Sequence, residues 1–402
     1  MALITTSDEL AVLCHEIDQG GRFAIDLEFI PERTYKPVLC LVQVATDKGV
    51  HLIDPLVHPD MMPLWKRFND ENIRVVIHAA SQDLDLIFNQ FHVLPSNIFD
   101  TQIASGFAGL GYQIGYGRLV NQLLGVSLSK TESFTDWLTR PLTDAQVSYA
   151  MDDVHHLLPL YDSIADRLNS MGRFEWADEE CKRYCSPEHF KIESENAYLK
   201  VKGASVLDRR GLAVLRFVYE WRDQTAQRLN KPPRTILSDS LLVEVARKPP
   251  HKVEDLNRIR GIRPDQVKGF GNGLVRAAQD GRAVQDADLP SWPSSRGPSK
   301  RDVLIGDMLF AILKVIAYEE DLATELLATR DELQSLIKLH REKKLATKNV
   351  PLLNGWRFDL AGHRLVKMLE GGDLTVSIGS AETAPILLAF GEVAQVAAEI
   401  ND

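Results

Sequence analysis

The pattern of hydrophobic and polar positions changes near residue 170. Before it, short hydrophobic segments alternate with segments of helical periodicity, which is typical of an α/β domain. The predicted strands are 22–29, 38–45, 50–53 and 74–78, and the predicted helices are 81–90, 115–124 and a long segment over 143–169. After residue 170 the strand pattern nearly disappears. We therefore predict an α/β domain followed by helical domains.

A Pro- and Ser-rich segment divides the helical part. Residues 289–300 read Leu-Pro-Ser-Trp-Pro-Ser-Ser-Arg-Gly-Pro-Ser-Lys, and their three prolines disfavour regular structure. The blocks on either side are weakly alike. Ile-Arg-Gly-Ile-Arg at 259–263 precedes Leu-Val-Arg at 274–276, and Leu-Asn-Gly-Trp-Arg at 353–357 precedes Leu-Val-Lys at 365–367. This similarity predicts an internal duplication.

Composition excludes several classes of protein. The chain has 402 residues, 45% of them hydrophobic and 25% charged, the balance of a globular protein of several domains. No hydrophobic run approaches the ~20 residues of a membrane span, and the N-terminus lacks a signal-peptide pattern. Four cysteines are too few for a disulfide framework, so we expect a cytoplasmic protein. A P-loop is absent from the sequence, so no nucleotide cofactor is expected.

Charge is distributed unevenly along the chain. Residues 201–284 contain 17 Lys and Arg against 9 Asp and Glu, whereas the remainder contains 29 against 47. A basic block within an acidic protein indicates a module that binds a polyanion. The alternative is a chance fluctuation on a solvated helical surface.

Two carboxylates share one face of a predicted strand. In residues 23–29, alternation puts Ile25, Leu27 and Phe29 on one face and Asp26 and Glu28 on the other. On a central strand, two carboxylates about 7 Å apart would repel each other and lose hydration. A divalent cation such as Mg²⁺ is the natural compensation. The alternative is an edge strand whose acids are solvated.

Two more acidic residues occur in helical segments. Asp83 follows the strand 74–78 and lies in the first turn of a helix for which Ser81 is the predicted N-cap. Asp153 lies one turn after Tyr149 on the same helix face, whereas Asp152 points about 100° away and is expected to be solvated. Taken singly, each has an ordinary explanation, the helix dipole for Asp83 and chance for the Tyr–Asp pair.

Together, and in their order along the chain, these motifs resemble those of the ribonuclease D family. This family belongs to the tyrosine subgroup of the DEDD exonuclease superfamily. The resemblance rests on Asp-x-Glu at Asp26 and Glu28, His-Ala-Ala-Ser-Gln-Asp-Leu at 78–84, Phe-Asp-Thr-Gln at 99–102, Lys130 followed by Asp-Trp-Leu-Thr-Arg-Pro-Leu at 136–142, and Tyr-x-x-x-Asp at Tyr149 and Asp153. It spans residues 1 to about 375. Within it, Ser133 and Thr135 stand where the family often has Gln and Ser.

The resemblance implies a particular fold. Residues 1–170 are expected to form a ribonuclease H-like α/β exonuclease domain, a mixed sheet flanked by helices, and residues 171–204 a helical connector. Two all-α HRDC-type domains are expected to follow. They are an HRDC domain over 205–285, which contains the basic block, and a second, divergent HRDC-like domain over 301–380 after a linker over 286–300. The apolar segment 381–402 is predicted to form a tail helix.

The resemblance also implies an activity. The expected enzyme is a 3′→5′ exoribonuclease that releases 5′-mononucleotides and trims precursor tRNA and other small structured RNAs. Its catalytic residues would be Asp26, Glu28, Asp83, Tyr149 and Asp153, and the four acids would hold two divalent cations, Mg²⁺ or Mn²⁺. Asp26 is expected to bridge the ions. Tyr149 is expected to orient water, since a phenol of pKa about 10 is a poor base.

Two alternatives remain open at this point. The same superfamily includes DNA exonucleases, and comparing RNA with DNA oligonucleotides that have free 3′ ends separates these substrates. A non-catalytic scaffold would bind RNA and leave it intact in Mg²⁺ or Mn²⁺. Our expectation remains a monomeric enzyme whose partner is RNA with a free 3′ end, with no membrane partner.

Overall fold

The computed structural model describes residues 3–57, 60–128, 135–190, 194–292, 298–345, 350–381 and 384–393. Lys130 and Ser133, which belong to one of the motifs above, lie outside the described residues. None of the helices within these ranges combines the length and the hydrophobicity that a membrane crossing requires. The four cysteines are all described, and all are free thiols.

Five strands form one mixed sheet. They are β1 (Arg22–Ile30), β2 (Val38–Thr46), β3 (Gly49–Ile53), β4 (Arg74–Ile77) and β5 (Ile98–Asp100), in the spatial order β3-β2-β1-β4-β5. β1 pairs antiparallel with β2 and parallel with β4. The four predicted strands are confirmed, and β5 is an addition. Because β1 is central, the solvated-edge explanation for Asp26 and Glu28 is wrong.

Helices cover both faces of this sheet. They are α1 (Ser7–Gly20), α2 (Met62–Phe68), α3 (Ser81–Phe91), α4 (Thr101–Phe107), α5 (Tyr116–Leu124), α6 (Asp144–His155), α7 (Leu157–Ser170), α8 (Phe174–Lys182) and α9 (Pro187–Phe190). On one face, α1, α2 and α3 pack against Ile25 and Leu27. On the other, α6 packs Val154 against Ala24. The long predicted helix over 143–169 is in fact two helices, because His156 ends α6 and precedes α7.

The basic block forms a helical domain with its own core. Its helices are α10 (Arg209–Leu229), α11 (Pro233–Ile236), α12 (Asp239–Arg247) and α13 (Pro264–Ala283), with a 3₁₀ turn over Val253–Arg258. Val218 and Leu274 lie in this core. α10 and α13 approach closely, since a Cβ on Gly281 would lie 2.5 Å from the Cα of Val214. Glycine at this position permits the helix packing.

A second helical group repeats this order of elements. It contains α14 (Lys300–Glu319), α15 (Thr324–Leu327), α16 (Arg330–Arg341), a 3₁₀ turn (Pro351–Leu353), α17 (Gly355–Arg357) and α18 (His363–Leu369), with a π turn between the last two. In each group, a side chain of the helix that follows the 3₁₀ turn donates to a carbonyl of the one-turn helix. Gln266 donates to Ile236 at 3.0 Å, and Arg357 donates to Leu326 at 2.8 Å. These parallels support the predicted duplication.

The second helical group shares a core with the α/β domain. Its residues Leu313 and Trp356 belong to the same hydrophobic cluster as Phe107 and Ile164. The ring centroids of Trp356 and Phe107 are 5.0 Å apart, and Trp356 also stacks on Trp176 at 5.3 Å. This group is therefore packed directly onto the α/β domain.

The C-terminal part differs from the predicted tail helix and from an all-α domain. Strands β6 (Gly372–Ala381) and β7 (Ala384–Val393) form an antiparallel hairpin, so the helix prediction is wrong for 384–393. Residues 394–402 of the predicted helix lie outside the described residues. A short apolar run fits a helix or a strand, and the alternation of Leu374, Val376 and Ile378 with polar residues was the overlooked strand signal.

Candidate active site

β1 presents Asp26 and Glu28 on the face of the sheet that α6 covers. Ile25 and Leu27 are buried on the opposite face, as the alternation predicts. Asp26 lies directly opposite Gln43 of β2, and a β-bulge follows Glu28. β1 is the middle strand, and β2 pairs with it at both carboxylate positions, whereas its pairing with β4 covers only residues 22–24.

α6 brings Tyr149 and Asp153 to the same place. The helix begins with a capping box, in which the Thr143 side chain accepts from the N–H of Gln146 and the Gln146 side chain accepts from the N–H of Thr143. It packs against β1, β2 and β3. The hydroxyl of Tyr149 hydrogen-bonds to the carboxylate of Asp153. The predicted i, i+4 pair therefore acts as one unit.

Three carboxylates converge between β1 and α6. Oxygen atoms of Asp26, Glu28 and Asp153 all lie within 4.8 Å of one another. Within the described ranges, no other set of three acidic, histidine or cysteine side chains has this geometry. Hard divalent cations prefer ligands of this kind.

Asp83 lies beside this group rather than within it. It is the third residue of α3 and is 8% exposed. The prediction that Ser81 is the N-cap of α3 is wrong, because Ala80 occupies that position and no side chain caps the helix. The turn is held from outside, since the carboxylate of Asp100 accepts hydrogen bonds from the N–H groups of Ala79 and Ala80.

The four carboxyl groups perturb one another. Burial, and then the charges of Asp83, Asp153 and Glu28, raise the pKa of Asp26 well above its ordinary value. Burial and the charges of Asp153 and Asp83 raise the pKa of Glu28 to about 8. Burial and the charge of Asp100 raise the pKa of Asp83 to about 8. Burial also raises the pKa of Asp153 to about 7, against the effect of the Tyr149 hydrogen bond.

These pKa shifts are consistent with a cation site. Without a positive charge nearby, buried and half-buried carboxyl groups so close together retain protons near neutral pH. Within the described ranges, the hydrogen bonds and ion pairs join no Lys or Arg to these four side chains. A divalent cation would supply the missing charge, so the donor set fits the ions that the sequence predicts.

The segment before α6 is anchored by Arg140 and places Trp137 beside Tyr149. Arg140 donates to the buried Asp54 at 2.9 Å and to the carbonyl of Cys40 at 2.7 Å. Trp137 is 4% exposed, and its ring centroid lies 6.2 Å from that of Tyr149. This tryptophan is therefore a packing residue, and it forms one wall around Tyr149.

Sequence reasoning assigned no role to three residues next to the site, although Asp100 belongs to the motif at 99–102. The hydroxyl of Tyr116 donates to the carbonyl of Asp152 at 2.9 Å and fastens the end of α6. Gln43 is fully buried opposite Asp26. Asp100 holds the turn before α3. Gln43 had a sequence signal, since it is a polar residue within a hydrophobic strand.

The chain is similar to known proteins along most of its length. It is 35% identical over 377 residues to the ribonuclease D of Zymomonas mobilis, covering 92% of this chain and 94% of that protein. It is 36% identical over 377 residues to the ribonuclease D of Sphingobium indicum, with the same coverage. The chain belongs to the ribonuclease D family. The resemblance that the motifs indicated is thus confirmed, and the enzyme is a 3′→5′ exoribonuclease of the DEDD superfamily.

Family models and solved structures agree with the ribonuclease D fold. The 3′-5′ exonuclease family matches residues 1–169, and the HRDC domain family matches residues 211–277. One similar structure is the crystal structure of Escherichia coli RNase D, an exoribonuclease involved in structured RNA processing. It matches with a TM-score of 0.81 and 30% sequence identity, and the match covers 92% of this chain and 98% of that chain. The predicted fold class is confirmed as an exonuclease domain followed by a helical HRDC domain. The exact domain boundaries and the second HRDC-like domain stay predictions.

DEDD exonucleases generally depend on divalent metal ions. In this chain, the cluster of Asp26, Glu28 and Asp153 has the chemistry that such ions require.

Proposed function

We propose that the protein trims the 3′ ends of precursor tRNA and other small structured RNAs and releases 5′-mononucleotides. The observation that carries this proposal is the convergence of Asp26, Glu28 and Asp153 on one point of the central sheet. The description of the Escherichia coli relative as an exoribonuclease involved in structured RNA processing supports the substrate class.

Two divalent cations, Mg²⁺ or Mn²⁺, are the proposed cofactors. When bound, such ions lower the pKa of a water and neutralise charge on the departing 3′ oxygen. Asp26 is the proposed bridging residue, because it lies on the middle strand and its pKa responds to burial first and then to all three other acids. Glu28 and Asp153 would complete the site of one ion, and Asp83 would support the second.

Tyr149 is proposed to orient the attacking water. Its hydroxyl is hydrogen-bonded to Asp153 and its ring lies beside Trp137, so its position is well defined. An oriented hydroxyl can accept or donate a hydrogen bond without losing its own proton. We therefore assign positioning, rather than direct proton abstraction, to this residue.

The basic helical domain is proposed to hold the RNA strand. An anionic strand must enter an acidic pocket, so affinity has to come from elsewhere. The exposed residues among the 17 Lys and Arg within 201–284 would supply phosphate contacts that do not depend on sequence. We also expect a monomeric, cytoplasmic enzyme, and the four free cysteines support that compartment.

We expect 5′-labelled single-stranded RNA with a free 3′ hydroxyl to be shortened one nucleotide at a time in Mg²⁺ or Mn²⁺. The same RNA with a 3′ phosphate should be degraded more slowly, because the 3′ end must enter the carboxylate pocket. Denaturing gels of reactions that contain either a chelator or added metal measure the degradation rates of both RNAs. Faster degradation of the matched DNA would contradict the proposal that RNA is the substrate. Binding of RNA without degradation would favour the non-catalytic scaffold.

Replacing Tyr149 with phenylalanine should lower kcat by about 10²-fold and leave the KM for RNA nearly unchanged. The ring would still pack beside Trp137, whereas the hydroxyl that orients water would be lost. Steady-state kinetics on one RNA oligonucleotide measure both constants. A variant with wild-type kcat would exclude Tyr149 from the reaction.

A further inference from the structure

The turn between β4 and α3 has an unusual backbone. Ala79 has a φ of 60°, in the left-handed region that residues with a Cβ rarely adopt. Ala80, the N-cap of α3, contributes no side-chain cap. Asp83 follows within the first turn of that helix, so its direction depends on this conformation. Something outside the turn must hold it.

Asp100 makes the required contacts. It is the last residue of β5 and lies opposite Ile77, the last residue of β4. Its Oδ1 accepts from the N–H of Ala79 at 3.0 Å, and its Oδ2 accepts from the N–H of Ala80 at 2.9 Å. Two consecutive N–H groups of the turn are therefore held by the two oxygens of one carboxylate.

Asp100 is itself held firmly. It is 1% exposed, so it does not face substrate. Its Oδ1 also accepts from the N–H of Gln102 at 2.8 Å and caps α4. On the other side, its own N–H donates to the thiol sulfur of Cys181 in α8, at 3.3 Å. The carboxylate of Asp100 thus joins the starts of α3 and α4, and its backbone N–H contacts the buried Cys181 of α8.

Thr101 reinforces the same connection. Its hydroxyl donates to the carbonyl of Ile77 at 3.1 Å and hydrogen-bonds to Nδ1 of His78 at 2.9 Å. Residues 77–80 are therefore held at every position by two consecutive residues at the end of β5. This arrangement is more extensive than a single helix cap requires.

We propose that Asp100 is a positioning residue of the metal site, which holds the turn after β4 so that α3 presents Asp83 toward Asp26 and Glu28. The inference rests on the metal-dependent function proposed above. A carboxylate is needed because both partners are N–H donors. An asparagine would turn its own NH₂ group toward one of them and lose that hydrogen bond.

Asp100→Asn tests the proposal, because it preserves size and removes one of the two acceptors. Isothermal titration of the full-length protein with Mn²⁺, without RNA, measures metal affinity, and initial rates on RNA at varied Mn²⁺ give the half-saturating concentration. We expect Mn²⁺ affinity to fall by about 10- to 100-fold, with little change in the KM for RNA. Thr101→Val should cause a smaller loss in the same direction.

Asp208→Asn is the matched control. Asp208 caps α10 by accepting from the N–H of Gly211 at 2.7 Å, and it lies outside the exonuclease domain. This variant should melt at a lower temperature yet bind Mn²⁺ with wild-type affinity. A purely structural role for Asp100 would produce the same pattern.

Wild-type Mn²⁺ affinity in a folded Asp100→Asn protein would overturn the proposal. If that variant does not fold, the same result in Thr101→Val would overturn it. Failure of the underlying metal-dependent function would look different, because the wild-type enzyme would then bind no Mn²⁺ or would degrade RNA equally well in chelator.

Discussion

Replacing Asp26 with asparagine should lower the rate of RNA hydrolysis by at least about 10³-fold and leave the fold intact. Asp26 is the acid whose pKa is raised by burial and by all three of its neighbours, so it depends most on a compensating cation. Asparagine has the same shape but lacks the charge and offers one oxygen instead of two. Single-turnover rates at saturating Mg²⁺, with circular dichroism of the same samples, measure the two effects.

The same variant should be more stable than wild type when metal is removed. At pH 8 the unfolded chain has Asp26 ionised, whereas the folded protein must either protonate this carboxyl group or bear its unfavourable charge. Asparagine removes this cost, so the melting temperature of the variant in chelator should be higher than that of wild type. Asp152→Asn is the matched control, because Asp152 is next to Asp153 in α6 but outside the converging carboxylates. It should retain activity within about 3-fold. Full activity of Asp26→Asn would remove Asp26 from the site.

The metal-free enzyme should lose stability as the pH rises from 5.5 to 8.5. Burial and neighbouring charges raise the folded-state pKa of Glu28 and Asp83 to about 8, and burial raises that of Asp153 to about 7, whereas unfolded carboxyl groups titrate at about 4. The folded state therefore binds more protons than the unfolded state between these values. The resulting stability is complete below about pH 4 and is lost as the pH rises through 7 to 8.

Melting curves in chelator measure this effect, and we expect a fall of roughly 5–10 °C. Burial lowers the pKa of two histidines, His78 and His156, which act in the opposite direction as the pH rises past the ordinary value of about 6.5. The comparison is therefore made against Asp26→Asn, which shares both histidines and should lose less stability. Equal falls in the two proteins would contradict the account.

Metal binding should show the complementary pH dependence. A cation must displace the protons that the carboxyl groups retain, so Mn²⁺ affinity should rise between pH 6 and 8 and binding should release protons. Titration calorimetry in buffers of different ionisation enthalpy counts the protons released. Affinity that does not vary with pH would mean that these carboxyl groups are already ionised.

Much of the site follows from local sequence rules. The two-residue period of a strand places Asp26 and Glu28 on one face, and helical spacing places Tyr149 and Asp153 together. Both relations are confirmed, because they depend only on backbone geometry. The motif order added Asp83, whose position beside the group no single rule predicts.

Other features depend on contacts between distant segments. Local sequence suggested Ser81 as the N-cap of α3, but Asp100 of the adjacent strand holds that turn instead. A local pattern cannot predict a hydrogen-bond partner about twenty residues away in the sequence. The break at His156 is likewise invisible to periodicity, since helical spacing continues on both sides. The hairpin of β6 and β7 was missed because the apolar run of β7 suits a helix and a strand alike and the alternation in β6 was overlooked.

The most direct test of the account is to locate Mn²⁺ by anomalous scattering in crystals soaked with the metal and a nucleoside 5′-monophosphate. The account predicts one ion bound by Asp26, Glu28 and Asp153 and a second near Asp26 and Asp83, with the phosphate touching both. Mn²⁺ bound elsewhere, with these four carboxylates left without metal at saturating concentration, would contradict it.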